Sequence, residues 1–235
     1  MSKNIDFEKN WLTKFSKCIG IFVGEDIRQE ILKGSENFSD NSEREKVIEW
    51  SKTAMKKLNF YVDEENRINI MLGCACQYPR SQLQEIRNKY KETKSLELAH
   101  QMLQEQFETL LKNPSLELNE EIIQKIIEKG WGSAGIRKGN KIIATKIPKS
   151  GYIKDYFNTS DPVGKRQIYC HCPRVRDSLK MPDMDIPEIY CYCGAGFYKG
   201  IWEEILQKPV KVRVLKSVLS GGDVCKIEIM LPTDN

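Results

Sequence analysis

Two short segments, each with a Cys-x-Cys pair, are the feature that most restricts how this chain can fold. The first arm holds Cys170 and Cys172, and the second holds Cys191 and Cys193. Thiolates, alone or with an imidazole, are ligands that tetrahedral zinc prefers. A metal bound by both arms would fix them side by side and order the loop between Cys172 and Cys191. The pattern therefore predicts a zinc site made of these four cysteines, with Cys225 as a substitute ligand.

Other interpretations of the two arms remain open. Free cysteine is among the most buried residue types, so all four could be inert core thiols. Four cysteines could also hold an iron–sulfur cluster, although the spacing differs from the common ferredoxin pattern. In an enzyme, His171 could act as an acid or base, and Arg174 could bind a carboxylate in bidentate fashion. Together with Tyr169, these two residues are the candidate ligand-binding side chains.

A third Cys-x-Cys pair, Cys74 and Cys76, is followed shortly by Pro79. A helix is predicted to begin near Arg80, and a helix N-terminus lowers the pKa of a nearby thiol. We therefore expect reactive or metal-binding thiols that lie close to the other two arms. Packing at a corner between two elements is the alternative. Cys18 lies among apolar residues, and we expect it to be an ordinary core thiol.

Charge and hydropathy exclude several classes of protein. The chain has 37 basic and 33 acidic residues, and this excess is too small and too dispersed to indicate nucleic-acid binding. It lacks the run of about 18 apolar residues that a membrane span needs, and residues 1–10 contain no apolar signal core. We expect a cytoplasmic protein, in which clustered cysteines stay reduced and bind metal or act in catalysis.

The N-terminal half has the apolar spacing of helices. Residues 6–33 are predicted to form two helices, with breaks at Gly20 and Gly24. Ser42 followed by Glu45 resembles a capping box, which predicts that the next helix begins there. The alternation of apolar and polar residues over 68–72 predicts a short strand.

Farther along the chain, the apolar pattern changes to a period of two. Segments 210–218 and 223–231 are predicted to be paired antiparallel strands, preceded by a helix. We predict an α+β fold with a helical N-terminal half and an antiparallel sheet and helix at the C-terminus. The mainly helical region 1–130 and the α+β region 131–235, which contains the cysteine arms, are expected to form one compact unit.

The last quarter of the chain contains a recognisable order of motifs. Cys191 is followed by a helix with Gly196 and Gly200, then by the alternating strand, and then by the turn Gly222-Asp223-Val224-Cys225. This order resembles the 4-vinyl reductase domain family, which includes sensors of aromatic compounds. The resemblance implies an α+β fold and a small-molecule ligand.

The same resemblance implies zinc, because a zinc ion is held by four side chains in the aromatic sensors. Only Cys191 and Cys225 match those ligands, whereas the middle two positions fall near Val214 and Ser217. The extra cysteines of the two arms could supply the missing ligands. The chain is also loosely similar to uncharacterised cysteine-rich proteins related to 2-amino-thiazoline-4-carboxylate hydrolases.

Two hypotheses of function follow. The first is a small-molecule-binding, sensor-like protein with a zinc-binding cysteine site, which could form a homodimer and needs a separate output partner. The alternative is a zinc- or cysteine-dependent hydrolase that acts on a small heterocycle or amide, because zinc with an open coordination position generates hydroxide near neutral pH.

Overall fold

The computed structural model describes residues 6–181 and 185–232. The N-terminal half is helical, as the apolar spacing predicted. Its elements are α1 Phe7–Val23, α2 Glu25–Leu32, α3 Arg44–Tyr61, α4 Glu64–Gly73, α5 Arg80–Thr93, α6 Leu96–Leu111 and α7 Glu120–Glu128.

The C-terminal half adds the strands and shorter helices. A single-turn 3-10 helix at Glu188–Cys191 leads directly into α11. The elements are β1 Ile136–Lys138, β2 Lys141–Thr145, α8 Ile153–Asn158, α9 Pro162–Tyr169, α10 Pro173–Ser178, α11 Tyr192–Leu206, β3 Lys211–Lys216 and β4 Lys226–Met230. The predicted α+β fold is therefore confirmed.

By the density of its internal contacts, the chain divides into two units. Unit 1 comprises residues 1–76 and 172–196, and unit 2 comprises residues 77–171 and 197–235. This division does not follow the predicted boundary at residue 130. The reason is that α10 packs against α3, and the 3-10 turn before α11 packs against α4. Residues 172–196 thereby join the N-terminal helices.

Unit 1 is a helical assembly in which α1 packs against α2 and α4. Asp6 accepts a hydrogen bond from the Lys9 amide and caps α1. Helix α1 continues through Gly20 and ends before Gly24, where φ is 87°. The core comprises Trp11, Phe15, Ile19, Val47, Ile48, Met55, Leu58, Ile70 and Met71.

Two local predictions for unit 1 are wrong. The segment 68–72 lies in α4 and is not a strand, because Asp63 caps the helix through the Asn66 amide and acidic residues fill its first turn. The N-cap of α3 is Glu43 instead of Ser42. The Ser42 hydroxyl accepts a hydrogen bond from the Ser39 amide, so it stabilises the turn before the helix.

Unit 2 contains a four-stranded antiparallel sheet in the order β1-β2-β4-β3. The strands predicted at 210–218 and 223–231 are present with shorter bounds, and a bulge interrupts β3 between Val214 and Lys216. One face of the sheet is buried, with Ile142, Ala144, Ile227 and Ile229. Helices α5, α6 and α7 pack in succession within the same unit.

The hairpin between β1 and β2 offers a matched test of this packing. Gly135 and Gly139 both have a left-handed backbone, with φ of 69° and 59°. A Cβ atom at Gly135 would lie 2.7 Å from the Ile143 carbonyl oxygen and 2.8 Å from Ala144 Cα, whereas nothing lies within 4 Å of one at Gly139. We expect Gly135→Ala to lower the free energy of unfolding by about 1–3 kcal/mol more than Gly139→Ala. Urea unfolding measures the difference, and equal values would contradict this packing.

Candidate functional site

The centre of unit 1 is a buried ion pair between Glu8 of α1 and Arg174 of α10. Neither side chain has any exposed surface, and Arg174 donates a hydrogen bond to the Glu8 carboxylate. The other carboxylate oxygen accepts a hydrogen bond of 2.7 Å from Arg44, which also binds Asp177 at 2.9 Å. Two carboxylates thus balance two guanidinium groups. A buried charge is tolerable only with such compensation.

Aromatic rings complete the environment of Arg174. Its guanidinium carbon lies 3.9 Å from the centre of the Trp11 ring, which is a close cation–π contact. Trp11 also stacks on Tyr190, with 5.5 Å between ring centres. Burial tends to lower the pKa of Arg174, but the Tyr190 and Glu8 interactions outweigh it and raise this pKa. Arg174 is therefore a fixed positive charge.

This charge lies close to the sulfur atom of Cys172. The Tyr190 hydroxyl is 3.2 Å from Cys172 Sγ and 3.4 Å from Arg174 Nη1. Burial raises the pKa of Tyr190 well above its ordinary value, with a further contribution from Cys172. The tyrosine thus stays a neutral hydroxyl that connects the thiol to the guanidinium.

A second thiol contact joins α1 to the end of α4. When Cys18 is ionised, its sulfur can accept the hydrogen of the Cys74 thiol, and this bond is the main reason that the pKa of Cys18 falls to about 7. The positive charges of Lys17 and Lys14 lower the same pKa further. Burial, followed by the hydrogen bond to Cys18, raises the pKa of Cys74 well above its ordinary value.

Close approach of these two helices depends on Gly73. A Cβ atom at this position would lie 2.4 Å from the Cys18 sulfur, so any larger residue would displace the thiol. Cys74 is 1% exposed, and in the structure its one thiol hydrogen is donated to the Ile70 carbonyl oxygen at 3.2 Å. Cys18 is partly exposed. The pair therefore combines an accessible sulfur of low pKa with a buried partner of high pKa.

The predicted metal ligands are divided between the two units. Cys172, Cys191 and Cys193 belong to unit 1, whereas Cys170 and Cys225 belong to unit 2. Within unit 1, the charge of Cys193 acts on both Cys74 and Tyr190. All eight cysteines are thiols, with no disulfide between them.

Among the residues that the structure describes, no three His, Cys, Asp or Glu side chains form a group that could hold a metal ion. Helical backbone explains this for the second arm, because Cys191 ends a 3-10 turn and Cys193 lies in the first turn of α11. Helical residues two apart do not face each other. The zinc site predicted from the cysteine spacing therefore stays a prediction.

The predicted ligand-binding residues of unit 2 have backbone partners. The Tyr169 hydroxyl donates to the Lys146 carbonyl oxygen at 2.5 Å and accepts from the Cys225 amide at 2.9 Å. A ring nitrogen of His171 lies 2.8 Å from the Ile147 carbonyl oxygen. Although part of His171 is exposed, loss of hydration and then the charge of Lys146 lower its pKa. These contacts hold the chain around β2.

Unit 2 also contains a small polar cavity of about 130 Å³. Its lining includes Glu204, which binds Arg87 at 2.5 Å and Arg80 at 3.5 Å. The carboxylate is thus already paired. The other lining residues are Gln77, Tyr78, Leu83, Gly200 and Glu203.

Sequence reasoning missed Cys18 and Glu8. Cys18 looked like a core residue because it lies on an apolar helix, although Lys14 and Lys17 precede it and indicate a thiol near positive charge. Glu8 gave no signal, because a single carboxylate in the first turn of a helix is ordinary. Its partner Arg174 is distant in the chain, so only the fold reveals the pair.

Comparison with known proteins finds a family match over part of the chain. Residues 152–235 match the model of a family described as a family of unknown function (DUF6144). The match covers less than half of the chain and includes both cysteine arms and Cys225. No curated protein and no solved structure matches. The resemblance to the 4-vinyl reductase domain therefore stays a prediction. Within the described residues, every helix is too short or too polar to cross a membrane.

The buried ion pair can be tested by neutralising Glu8. Glu8→Gln removes a charge that compensates two arginines, and we expect the free energy of unfolding to fall by about 3–5 kcal/mol. The control is Lys46→Gln, which breaks a pair with side-chain exposures of 69% and 72% and should change stability little. Chemical denaturation measures both. A Glu8 variant as stable as the Lys46 variant would show that the pair is not essential.

Proposed function

We propose that this protein is a sensor of small reactive molecules, in which Cys18 is the responsive thiol and Cys74 is its partner. The observation that carries this proposal is the close approach of the partly exposed Cys18 sulfur to Gly73, next to the buried Cys74, together with the lowered pKa of Cys18. A thiolate, and not a thiol, is the nucleophile in cysteine chemistry. With a pKa near 7, a large fraction of Cys18 is ionised at neutral pH.

The chemistry that suits this pair is oxidation by a hydroperoxide. The Cys18 thiolate attacks one peroxide oxygen, so that an S–O bond forms, the O–O bond breaks, and the leaving oxygen takes a proton to become water or an alcohol. The product is a sulfenic acid. The Cys74 sulfur then attacks Cys18, the S–O bond breaks, and the hydroxyl leaves as water with the Cys74 proton. The two thiols lose two electrons, which reduce the hydroperoxide.

The burial of the two sulfurs fits this order of events. Cys18 is partly exposed and can meet a small molecule, whereas Cys74 has 1% of its surface exposed. A buried thiol of high pKa reacts slowly with an external oxidant but can attack a neighbouring sulfenic acid. We place the protein in a reducing compartment such as the cytoplasm, where the resting state is the dithiol.

Hydrolase chemistry has less support in unit 1. A cysteine hydrolase uses a neighbouring base, most often histidine, to activate the nucleophile. The chain has two histidines, His100 and His171, and both belong to unit 2. Zinc remains a separate hypothesis that metal analysis of the purified protein can test, and no step of the proposed chemistry uses it.

The pH dependence of alkylation tests the thiol pair. We expect Cys18 to react with iodoacetamide at a rate that is half-maximal near pH 7, whereas an ordinary cysteine requires about pH 8.5. Removing the hydrogen-bond donor with Cys74→Ala should move the midpoint upwards. Cys76→Ala is the matched control, because Cys76 is exposed and lies two residues away. Peptide mass spectrometry follows Cys18 alone, and an unchanged midpoint in Cys74→Ala would contradict the proposed role of this bond.

Oxidation with hydrogen peroxide tests the function itself. The protein should lose two hydrogen atoms, and digestion should yield a peptide that joins Cys18 to Cys74. Cys18→Ser should abolish this product, and Cys76→Ser should retain it. Loss of the same product after treatment with a reductant would show that the change is reversible. If peroxide instead links other cysteines first, or leaves Cys18 reduced while other thiols react, the proposal fails.

A further inference from the structure

The second face of the sheet in unit 2 is strongly basic, and it is exposed except at Thr145 and Glu228. The strand register aligns its side chains in rows, with Lys138 beside Lys141 and Thr145 beside Lys226, which in turn lies beside Lys216. We call this surface the basic face. Its charged residues are Lys138, Lys141, Lys211, Arg213, Lys216, Lys226 and Glu228.

This concentration of charge is not a consequence of composition. Six basic side chains stand against one acidic side chain on the basic face, an excess that is larger than the formal net charge of +4 for the whole chain. The rest of the protein is therefore close to neutral. The charge that appears dispersed in the sequence is gathered on one surface by the alternation of the strands.

The arrangement is unfavourable for the sheet itself. Lys138 lies directly opposite Lys141, and Lys216 lies opposite Lys226. Like charges at directly opposed positions destabilise a strand pair. Lysines on an edge strand prevent aggregation, which explains those on β1 and β3. It does not explain Lys141 and Lys226, because β2 and β4 are the inner strands.

The acidic residues near the basic face neutralise only part of it. Glu228 is 7% exposed and binds Arg213 at 3.0 Å, with Lys141 at 3.7 Å. Asp223 lies 3.6 Å from Lys216. Within the described residues, no carboxylate lies within ion-pair distance of the remaining basic residues, Lys138, Lys211 and Lys226.

Apart from Thr145, which is buried, the other residues of the basic face are aliphatic. Ile136 is 47% exposed and lies opposite Ile143, which is partly exposed. Met230, opposite Lys141, is also partly exposed. The strand positions of this face carry no aromatic side chain. Single-stranded nucleic acids stack their bases on aromatic rings, so the face lacks the groups that would bind them well. A membrane surface would favour protruding apolar side chains, whereas Ile143 and Met230 are recessed among lysines.

We propose that the basic face docks an acidic, amphipathic segment of a partner protein. Carboxylates of the segment would neutralise the lysines, and its apolar side chains would cover Ile136, Ile143 and Met230. Binding would remove the repulsion between opposed lysines, so the sheet would gain stability in the complex. This inference rests on the sheet alone and is independent of the thiol chemistry in unit 1.

The test uses the full chain and a fluorescent synthetic peptide. Its glutamate and leucine residues are spaced so that a helix would carry glutamates on one face and leucines on the other. The variant is Lys138→Glu with Lys226→Glu, which turns two repulsive cross-strand pairs into attractive ones. The control is Lys56→Glu with Lys91→Glu, which makes the same change of net charge at exposed positions of α3 and α5.

We expect the melting temperature of the variant on the basic face to equal or exceed that of the parent chain. The same variant should bind the peptide at least about tenfold more weakly. The control should retain binding, and higher salt should weaken binding to the parent chain. Equal affinity of the two double variants would overturn the proposal. Tighter binding of oligothymidine, or of phosphatidylserine-containing vesicles, than of the peptide would also overturn it in favour of those occupants.

Discussion

The buried pair of Glu8 and Arg174 is the interaction on which unit 1 depends. It joins the first helix to a helix that is distant in the chain, and it lies among Trp11, Tyr190 and the Arg44 bridge to Asp177. Such a pair contributes little net energy, because desolvation offsets the attraction. Its effect is to specify one arrangement, since any packing that separates the two groups leaves a buried charge. The thiols near Arg174 are thereby held in a defined electrostatic environment.

Much of the fold follows from the sequence, because apolar periodicity records which side of an element is buried. The helical N-terminal half and the pair of antiparallel strands near the C-terminus were predicted in this way. The strand assigned to 68–72 was wrong because a short alternation also fits a helix, and the cap at Asp63 decided the outcome. The return of residues 172–196 to the N-terminal helices had no local signal. Long-range pairing of this kind depends on the whole core.

Spacing alone does not determine the chemistry of a cysteine pair. Two cysteines separated by one residue can chelate only if the backbone between them directs both sulfurs to the same side. At Cys191 and Cys193 the backbone is helical, and at Cys74 and Cys76 one thiol is buried while the other is exposed. The structure instead brings the Cys18 sulfur against Gly73, the residue that precedes Cys74. The sequence signal of this contact was the glycine itself, which permits a sulfur to approach the backbone.

The charged residues of the two units differ in whether they have partners of opposite charge within the fold. In unit 1, each buried carboxylate meets a guanidinium, so the charges serve the fold and leave no demand for a ligand. In unit 2, Lys138 and Lys226 lie opposite other lysines and are exposed to solvent. Water makes that repulsion tolerable, but it gives the free protein no benefit. These lysines would stabilise the sheet only if an anionic group of another molecule bound them. This difference between the two units is the reason that we infer a partner.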